Sequence, residues 1–222
     1  MSEFSADELS RVIKSHSKWL DGSGILVKGK CLNLWGSDLS GVNLKGKDLR
    51  NAKLPLADLT SANLSKVDLS NSVLRNADLI GANLSNADLS GAELCGANLS
   101  GANLSCSVLI GADIRGALLG GADLKGANLE GANLSRAEPK GANLAGANLS
   151  GTDLSGTVLI GANLVGANLS GANLCGKDLS GEELITDLSG ANLSGANLSG
   201  ANLSGANLSG ANLSGTDLAN NI

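Results

Sequence analysis

Residues 190–214 read GANLSGANLSGANLSGANLSGANLS, five identical copies of one five-residue unit. Variants of this unit run through most of the chain. If its leucine is called position i, leucine recurs every five residues over 34–184, and again over 188–218 after one step of four, which makes 38 repeats. Only Ile114 and Pro139 replace that leucine. Such a repeat predicts an elongated solenoid rather than a globular domain.

The period of five matches neither an α-helix nor a β-strand, which repeat every 3.6 and 2 residues. Positions i−2 (mostly Ala) and i are apolar, whereas i−1 (Asn or Asp) and i+1 (often Ser) are polar. The alternation predicts a three-residue extended side whose first and third side chains point inward. Glycine at i+2 suits the positive φ of a type II turn. Four sides then close a square coil, and stacked coils pair about 4.8 Å apart.

These tandem Ala-(Asn/Asp)-Leu-Ser-Gly units resemble the pentapeptide-repeat family. The resemblance covers about 190 of the 222 residues and implies an all-β solenoid, a right-handed quadrilateral β-helix. With four repeats in each coil, residues 32–222 would form about nine to ten coils, with a shift of repeat frame at about 184–188. Composition agrees, because 42% hydrophobic but only 1% aromatic residues favour a thin core of Leu and Ala.

Three departures from the repeat predict local distortion. Pro139 lacks an N–H, which predicts a bulge, and the one-residue deletion within 182–187 predicts a distorted corner or small loop. A different turn type is expected where non-glycine residues, which resist positive φ, occupy position i+2: Asn51, Leu56, Ser61, Lys66, Asn71 and Asn76.

The two ends of the solenoid differ. Residues 1–31 are predicted to form an α-helical cap and a connector, because Ser5 and Glu8 fit a capping box. One helical face carries Leu9, Val12, Ile13, His16, Trp19 and Leu20. No similar segment follows Leu218, so an open C-terminal coil predicts an end-to-end homodimer. The identical copies in 190–214 favour either recent duplication or consensus engineering.

Composition narrows the classes of function. A net charge of −5 disfavours direct binding to nucleic acid or anionic membranes, and no apolar run is long enough to span a membrane. The N-terminus lacks the features of a signal peptide, so we expect a cytoplasmic protein. The family's abundance in cyanobacteria and other bacteria implies a bacterial one.

The sequence predicts no enzyme, cofactor or metal site. The one histidine, His16, lies on the apolar face of the cap, and the serines have no histidine base near them. Four cysteines (Cys31, Cys95, Cys106 and Cys175) show no metal-ligand spacing, and Cys95 lies four coils from Cys175, too far for a disulfide.

Two acidic columns are predicted on the outer surface, because residues 20 apart should stack on one side. Asp38, Asp58 and Asp78 form one column, and Asp48, Asp68 and Asp88 form the other on the opposite side. The simpler interpretation is that Asp alternates with Asn at a solvated position. The alternative is DNA mimicry, since some family members, the fluoroquinolone-resistance proteins, are described as acidic rods that bind type II topoisomerases. Charge weighs against it, because residues from Leu32 onward carry 17 acidic and 11 basic side chains, whereas DNA of that length carries about 26 charges.

A row of apolar residues shares the side of Asp38: Ile80, Leu118, Val158 and Ile160. Scattered apolar surface residues are normal, but a spaced row could dock an unidentified protein partner. The sequence therefore supports three hypotheses: a non-enzymatic scaffold or protein-interaction rod, an acidic mimic of DNA that binds gyrase or topoisomerase, and an engineered or passive repeat protein.

Overall fold

The computed structural model describes residues 6–20, 31–175 and 186–217, with the side chains of the helix described over 7–17. One α-helix, α1 (Ala6–Leu20), precedes the repeats. The sides of the solenoid are too short to form extended strands. Each pairs with the sides above and below through single parallel bridges at position i−1.

The pairing fixes a four-sided coil of 20 residues. Asn33 pairs with Lys53, and Asp38 pairs with Asp58, in parallel. Within each side, the N–H of residue i donates to the next coil, as from Leu34 to the carbonyl of Lys53 at 2.7 Å. The described chain contains 29 repeats centred on 34–174 and six on 188–213. These form almost nine coils, a rod about 40 Å long.

The core is a column of stacked leucine and alanine side chains. The leucines from Leu49 to Leu174 are at most 1% exposed, and the alanines at i−2 are equally buried in these coils. Where Ser or Thr replaces alanine at i−2, its hydroxyl donates to the carbonyl at the preceding corner, as from Ser72 to Leu69 at 2.6 Å. A buried hydroxyl is therefore tolerated because it has a hydrogen-bond partner.

The turn type does not change over 51–76, contrary to the sequence prediction. Asn51 has φ of 61°, Leu56 of 57° and Lys66 of 59°, close to the 58–74° of the glycines at the same position. The N–H of each such residue donates to the next coil, as from Leu56 to the carbonyl of Arg75 at 3.0 Å. Hydrogen bonds above and below therefore impose one corner geometry, and the non-glycine residues adopt it.

Pro139 does not produce the predicted bulge. It is buried at the core position, and the 20-residue spacing continues on both sides of it, with Gly141 donating to Ile160 at 2.9 Å. The effect is confined to pairing, because Glu138 and Val158 form no bridge although their neighbours in residues 31–175 do. Proline simply lacks the N–H that the next coil would accept.

The break in the repeat is larger than the predicted one-residue deletion. Val158 pairs with Asp187, 29 residues later, instead of with Asp178. Nine residues more than a normal coil thus separate these positions. The predicted repeats centred on Leu179 and Leu184, and the expected distortion at Glu182, lie in 176–185, outside the described residues. The solenoid resumes at Thr186 in the original four-sided register.

Helix α1 covers the first coil, in agreement with the predicted cap. Leu9 and Ile13 are 7% and 8% exposed and join the leucine core, and Val12 packs partly against it. His16 is fully buried. Ser5 and the side chains of Trp19 and Leu20 lie outside the description. At the other end, Leu203, Leu208 and Leu213 of the last described coil are only partly buried.

Candidate interaction surfaces of the solenoid

Every outward Asn or Asp at position i−1 has the same structural role. Its Oδ1 accepts the backbone N–H of residue i+1, as from Ser40 to Asp38 at 3.0 Å and from Ser85 to Asn83 at 3.1 Å. This local bond is an Asx turn, and it helps the chain to bend into the corner. Both residue types supply the acceptor oxygen equally well, which explains their alternation along the sequence.

Only asparagine adds a bond between coils. The Nδ2 of Asn143 donates to Oδ1 of Asp123 at 2.9 Å, and that of Asn163 donates to Asn143 at 3.1 Å. A column of asparagines therefore forms a ladder along the rod. Two stacked ionised aspartates cannot do so, because each only accepts hydrogen bonds. Acidic columns thus forgo ladder bonds and place like charges opposite one another.

Both acidic columns predicted from the sequence form. The Asp38 face is the side that holds Asp38, Asp58, Asp78, Asn98, Leu118 and Glu138 in register. The Asp48 face is the opposite side, with Asp48, Asp68, Asp88 and Val108 in register. Each acidic column spans three coils, or about 10 Å.

The two columns differ in charge pairing. Arg50 contacts Asp48 at 2.7 Å and Asp68 at 3.5 Å, which partly neutralises the Asp48 face. Among the residues described, no ion pair involves Asp38, Asp58 or Asp78. The Asp38 face is therefore the more strongly negative of the two.

The pKa values reflect these contacts. Hydrogen bonds from the Arg50 guanidinium lower the pKa of Asp48, and Arg115 lowers that of Asp113 in the same way. The backbone N–H of Ser40 lowers the pKa of Asp38. These three carboxylates therefore stay ionised at neutral pH.

The predicted apolar row lies on the Asp38 face but is not continuous. Ile80 and Leu118 are each 39% exposed, whereas Val158 and Ile160 are half-buried. Ile80 and Ile160 are four coils apart, and polar or glycine residues lie between them: Ser100, Gly120 and Lys140. The row offers separate apolar contacts and not one patch.

The most exposed apolar residues were missed by the sequence analysis. Trp35 is 65% exposed and Leu56 is 54% exposed. Both lie at the corner where the chain enters the Asp38 face, Trp35 in the first coil and Leu56 in the second. A large apolar residue at the usual serine or glycine position could have revealed this corner.

The described residues contain no group of three or more His, Cys, Asp or Glu side chains placed to hold a metal ion. All four cysteines are free thiols. Over the same residues, no helix has the length and apolar character needed to cross a membrane.

The regular coils and their stacked Asn and Asp columns define a solenoid protein built from five-residue repeats. The family model for pentapeptide repeats matches the chain in eight copies, over residues 31–65, 56–91, 82–121, 102–138, 140–176 and 186–220. The chain belongs to this family. The quadrilateral β-helix of the family, which is right-handed, agrees with the four-sided coil described above.

Several solved structures are similar to the chain. HetL, a pentapeptide repeat protein involved in heterocyst differentiation regulation in the cyanobacterium Nostoc sp. strain PCC 7120, is 33% identical over 97% of this chain and 95% of its own, with a TM-score of 0.31. A trypsin-treated variant of QnrB1, a plasmid-mediated fluoroquinolone resistance protein, is 23% identical over 84% and 90%, with a TM-score of 0.42. The Nostoc protein alr5209 is 31% identical over 52% and 79%, with a TM-score of 0.41. No curated protein sequence matches significantly.

Proposed function

We propose that this protein is a non-enzymatic interaction rod that binds another protein along its Asp38 face. The observation that carries the proposal is the combination, on one side, of exposed Ile80 and Leu118 with three aspartates that form no ion pair among the described residues. The asparagine ladders elsewhere stabilise the coil. The acidic column on this face does not, so the fold alone does not account for it.

The test is affinity capture from the native host with paired surface variants. Ile80→Ser with Leu118→Ser removes the exposed apolar side chains of the Asp38 face. The control, Ile110→Ser with Val165→Ser, removes side chains of equal exposure, 43% and 39%, from other corners. We expect a specific partner to be lost with the first pair and retained with the second. Equal retention by both pairs would contradict the choice of face, and no specific partner at all would favour a passive repeat protein.

The alternative hypothesis is an acidic DNA mimic that binds a topoisomerase, and the charge distribution gives it less support. Each acidic column ends after three coils, and Arg50 neutralises part of the Asp48 face. A DNA duplex instead presents continuous charge, about one per 1.7 Å. A gyrase supercoiling assay separates the two hypotheses. We expect no inhibition at micromolar protein, whereas inhibition would favour DNA mimicry.

We also propose that a second copy of the chain covers the C-terminal coil. Leu203, Leu208 and Leu213 are less buried there than their equivalents in earlier coils. Their backbone N–H groups have no acceptor within the described residues, although the equivalent groups of inner coils donate to the next coil. Light scattering at increasing concentration tests this proposal. A dimer that Leu208→Lys abolishes is expected, and a monomer at every concentration would contradict it.

A further inference from the structure

The corner formed by Trp35, Pro55 and Leu56 is the most exposed apolar feature of the described solenoid. Trp35 and Pro55 occupy the same corner position in consecutive coils, and the neighbouring Gly36 donates its N–H to the carbonyl of Pro55 at 3.0 Å. Leu56 follows Pro55 directly. We call these three residues the apolar corner.

Leu56 is unusual in both conformation and exposure. It has φ of 57°, in the left-handed region that bulky residues avoid. The other eight non-glycine residues with positive φ are polar or small: Asn51, Ser61, Lys66, Asn71, Asn76, Asn86, Cys106 and Arg136. The side chain of Leu56 is also more than half exposed. Strain and exposed apolar surface together at one residue indicate a binding role, because neither stabilises the fold.

The surroundings of the apolar corner are negative. Asp38 and Asp58 follow it within three residues of Trp35 and Leu56, and Asp78 stacks beneath them. The nearest cation at the same corner, Arg75 of the third coil, is paired with Glu93 at 2.9 Å on the neighbouring side. An apolar anchor therefore adjoins an acidic column with no cation paired to it in the described residues.

The spacing of the column favours a helical ligand. Its carboxylates repeat about every 4.8 Å along the rod. One turn of an α-helix rises 5.4 Å, so basic residues at i, i+4 and i+7 of a helix face three successive aspartates. Alternate residues of an extended strand lie about 6.6 Å apart and fall out of step with the coils. The negative charge also excludes nucleic acid as the occupant.

We propose that the apolar corner and the Asp38–Asp58–Asp78 column together bind a cationic amphipathic helix of a partner protein, lying along the solenoid axis with one large apolar side chain against Trp35 and Leu56. This inference rests on the proposed function, since it specifies the partner of the Asp38 face. Basic side chains supply electrostatic attraction, and the apolar corner supplies the anchor that fixes the position of the helix.

The test uses a fluorescently labelled synthetic helix with lysines at i, i+4 and i+7 and one leucine beside them, with binding followed by anisotropy. The corner variant is Trp35→Ser with Leu56→Gly. The column variant replaces Asp38, Asp58 and Asp78 with Asn. The matched control replaces Asp48, Asp68 and Asp88 with Asn, which removes the same formal charge from the opposite side. A peptide with glutamates in place of the lysines controls for apolar binding alone.

We expect at least tenfold weaker binding for the corner variant and for the column variant, a change below twofold for the matched control, and no binding of the glutamate peptide. Thermal melts establish that each variant remains folded. Equal loss from both acidic columns would show non-specific attraction and overturn the inference, as would unchanged binding by the corner variant. If the lysine peptide fails to bind while capture still depends on Ile80 and Leu118, the inference fails and the proposed function stands.

Discussion

The imidazole of His16 accepts the backbone N–H of Leu32 at Nδ1, at 3.2 Å, and thereby ties α1 to the first coil. Its Nε2 lies 2.9 Å from the carbonyl oxygen of Arg50. Because Nδ1 is the acceptor, Nε2 carries the proton and donates to that carbonyl. In inner coils the carbonyl equivalent to that of Arg50 accepts an N–H from the coil before it. His16 therefore satisfies the exposed edge of the solenoid, and it can do so only as the neutral ring.

Acid should weaken the cap through His16. Burial lowers the pKa of His16 below its ordinary value of 6.5, an effect that outweighs the opposing hydrogen bond to Arg50 and the charge of Asp48. The unfolded chain therefore binds a proton at a higher pH than the folded chain does. The contribution to stability is complete above pH 6.5 and falls as the pH drops below it. Hydrogen exchange at the amide of Leu32 should accelerate between pH 7 and pH 5 beyond the intrinsic change.

The control for this prediction is His16→Gln, which retains an amide donor and acceptor but does not titrate. Its stability at pH 7 should be lower by about 1–2 kcal/mol, because the geometry of the two hydrogen bonds is lost. The extra loss of protection at Leu32 between pH 7 and pH 5 should disappear. If both proteins showed the same pH dependence, aspartates and not His16 would control the cap.

Replacing an aspartate of the Asp38 column should stabilise the rod. In Asp58→Asn, Oδ1 still accepts the N–H of Thr60, now 2.9 Å from Asp58, and Nδ2 gains Asp38 as an acceptor. The Asn143–Asp123 pair shows this bond at 2.9 Å. We expect the free energy of unfolding in urea to rise by about 0.5–1 kcal/mol. The reverse change, Asn143→Asp, should lower it by a similar amount, and a destabilised Asp58→Asn would refute the view that the column costs stability.

The strain at Leu56 should also be measurable. Leu56→Gly relieves a left-handed conformation that costs about 1–2 kcal/mol, and little packing is lost because the side chain is mostly exposed. We expect the midpoint of thermal unfolding to rise. The comparison is Gly101→Ala, where φ is 63° and no atom lies within 4 Å of the added Cβ. That variant should lose about 1 kcal/mol through conformation alone; no loss there would mean that the corners tolerate side chains without strain.

The sequence was sufficient to predict the four-sided coil and the two acidic columns, because the alternation around each leucine defines both the core and the pairing direction. It was insufficient at the corners and at Pro139. Single-residue preferences suggested distortion at Lys66 and Leu56, but hydrogen bonds to both neighbouring coils outweigh them. The length of the break was hidden too, since the pairing of Val158 with Asp187 depends on which repeats the coil bypasses.

The surface was predicted less completely than the core. Sequence analysis placed Ile80 and Leu118 on the Asp38 face, but exposure depends on neighbours at the corners, which no periodicity specifies. Trp35 and Leu56 were visible only as residues of unusual type at serine and glycine positions. The neutralisation of the Asp48 face was also hidden, because it depends on how the Arg50 side chain reaches two coils.

Thr186 should be essential for closing the break. In an unbroken coil the N–H of Gly156 would donate to the carbonyl of Cys175, but here it donates to the Thr186 hydroxyl at 2.9 Å. That hydroxyl lies 3.2 Å from the carbonyl of Cys175 and 3.3 Å from that of Leu154. It therefore bridges the backbone groups that the departing chain would leave unpaired.

Thr186→Val keeps the shape of this side chain but leaves a buried N–H without its acceptor, so we expect a loss of about 1–3 kcal/mol in the free energy of unfolding. Thr186→Ser keeps the hydroxyl and should lose less than half as much. Thr157→Val is the control, because its hydroxyl only donates to the carbonyl of Leu154, at 2.7 Å, which also accepts the N–H of Thr157 at 3.1 Å. Urea unfolding of the three variants measures the difference. A loss at Thr157 equal to that at Thr186 would show that any buried threonine contributes as much, and that the bridge across the break has no special role.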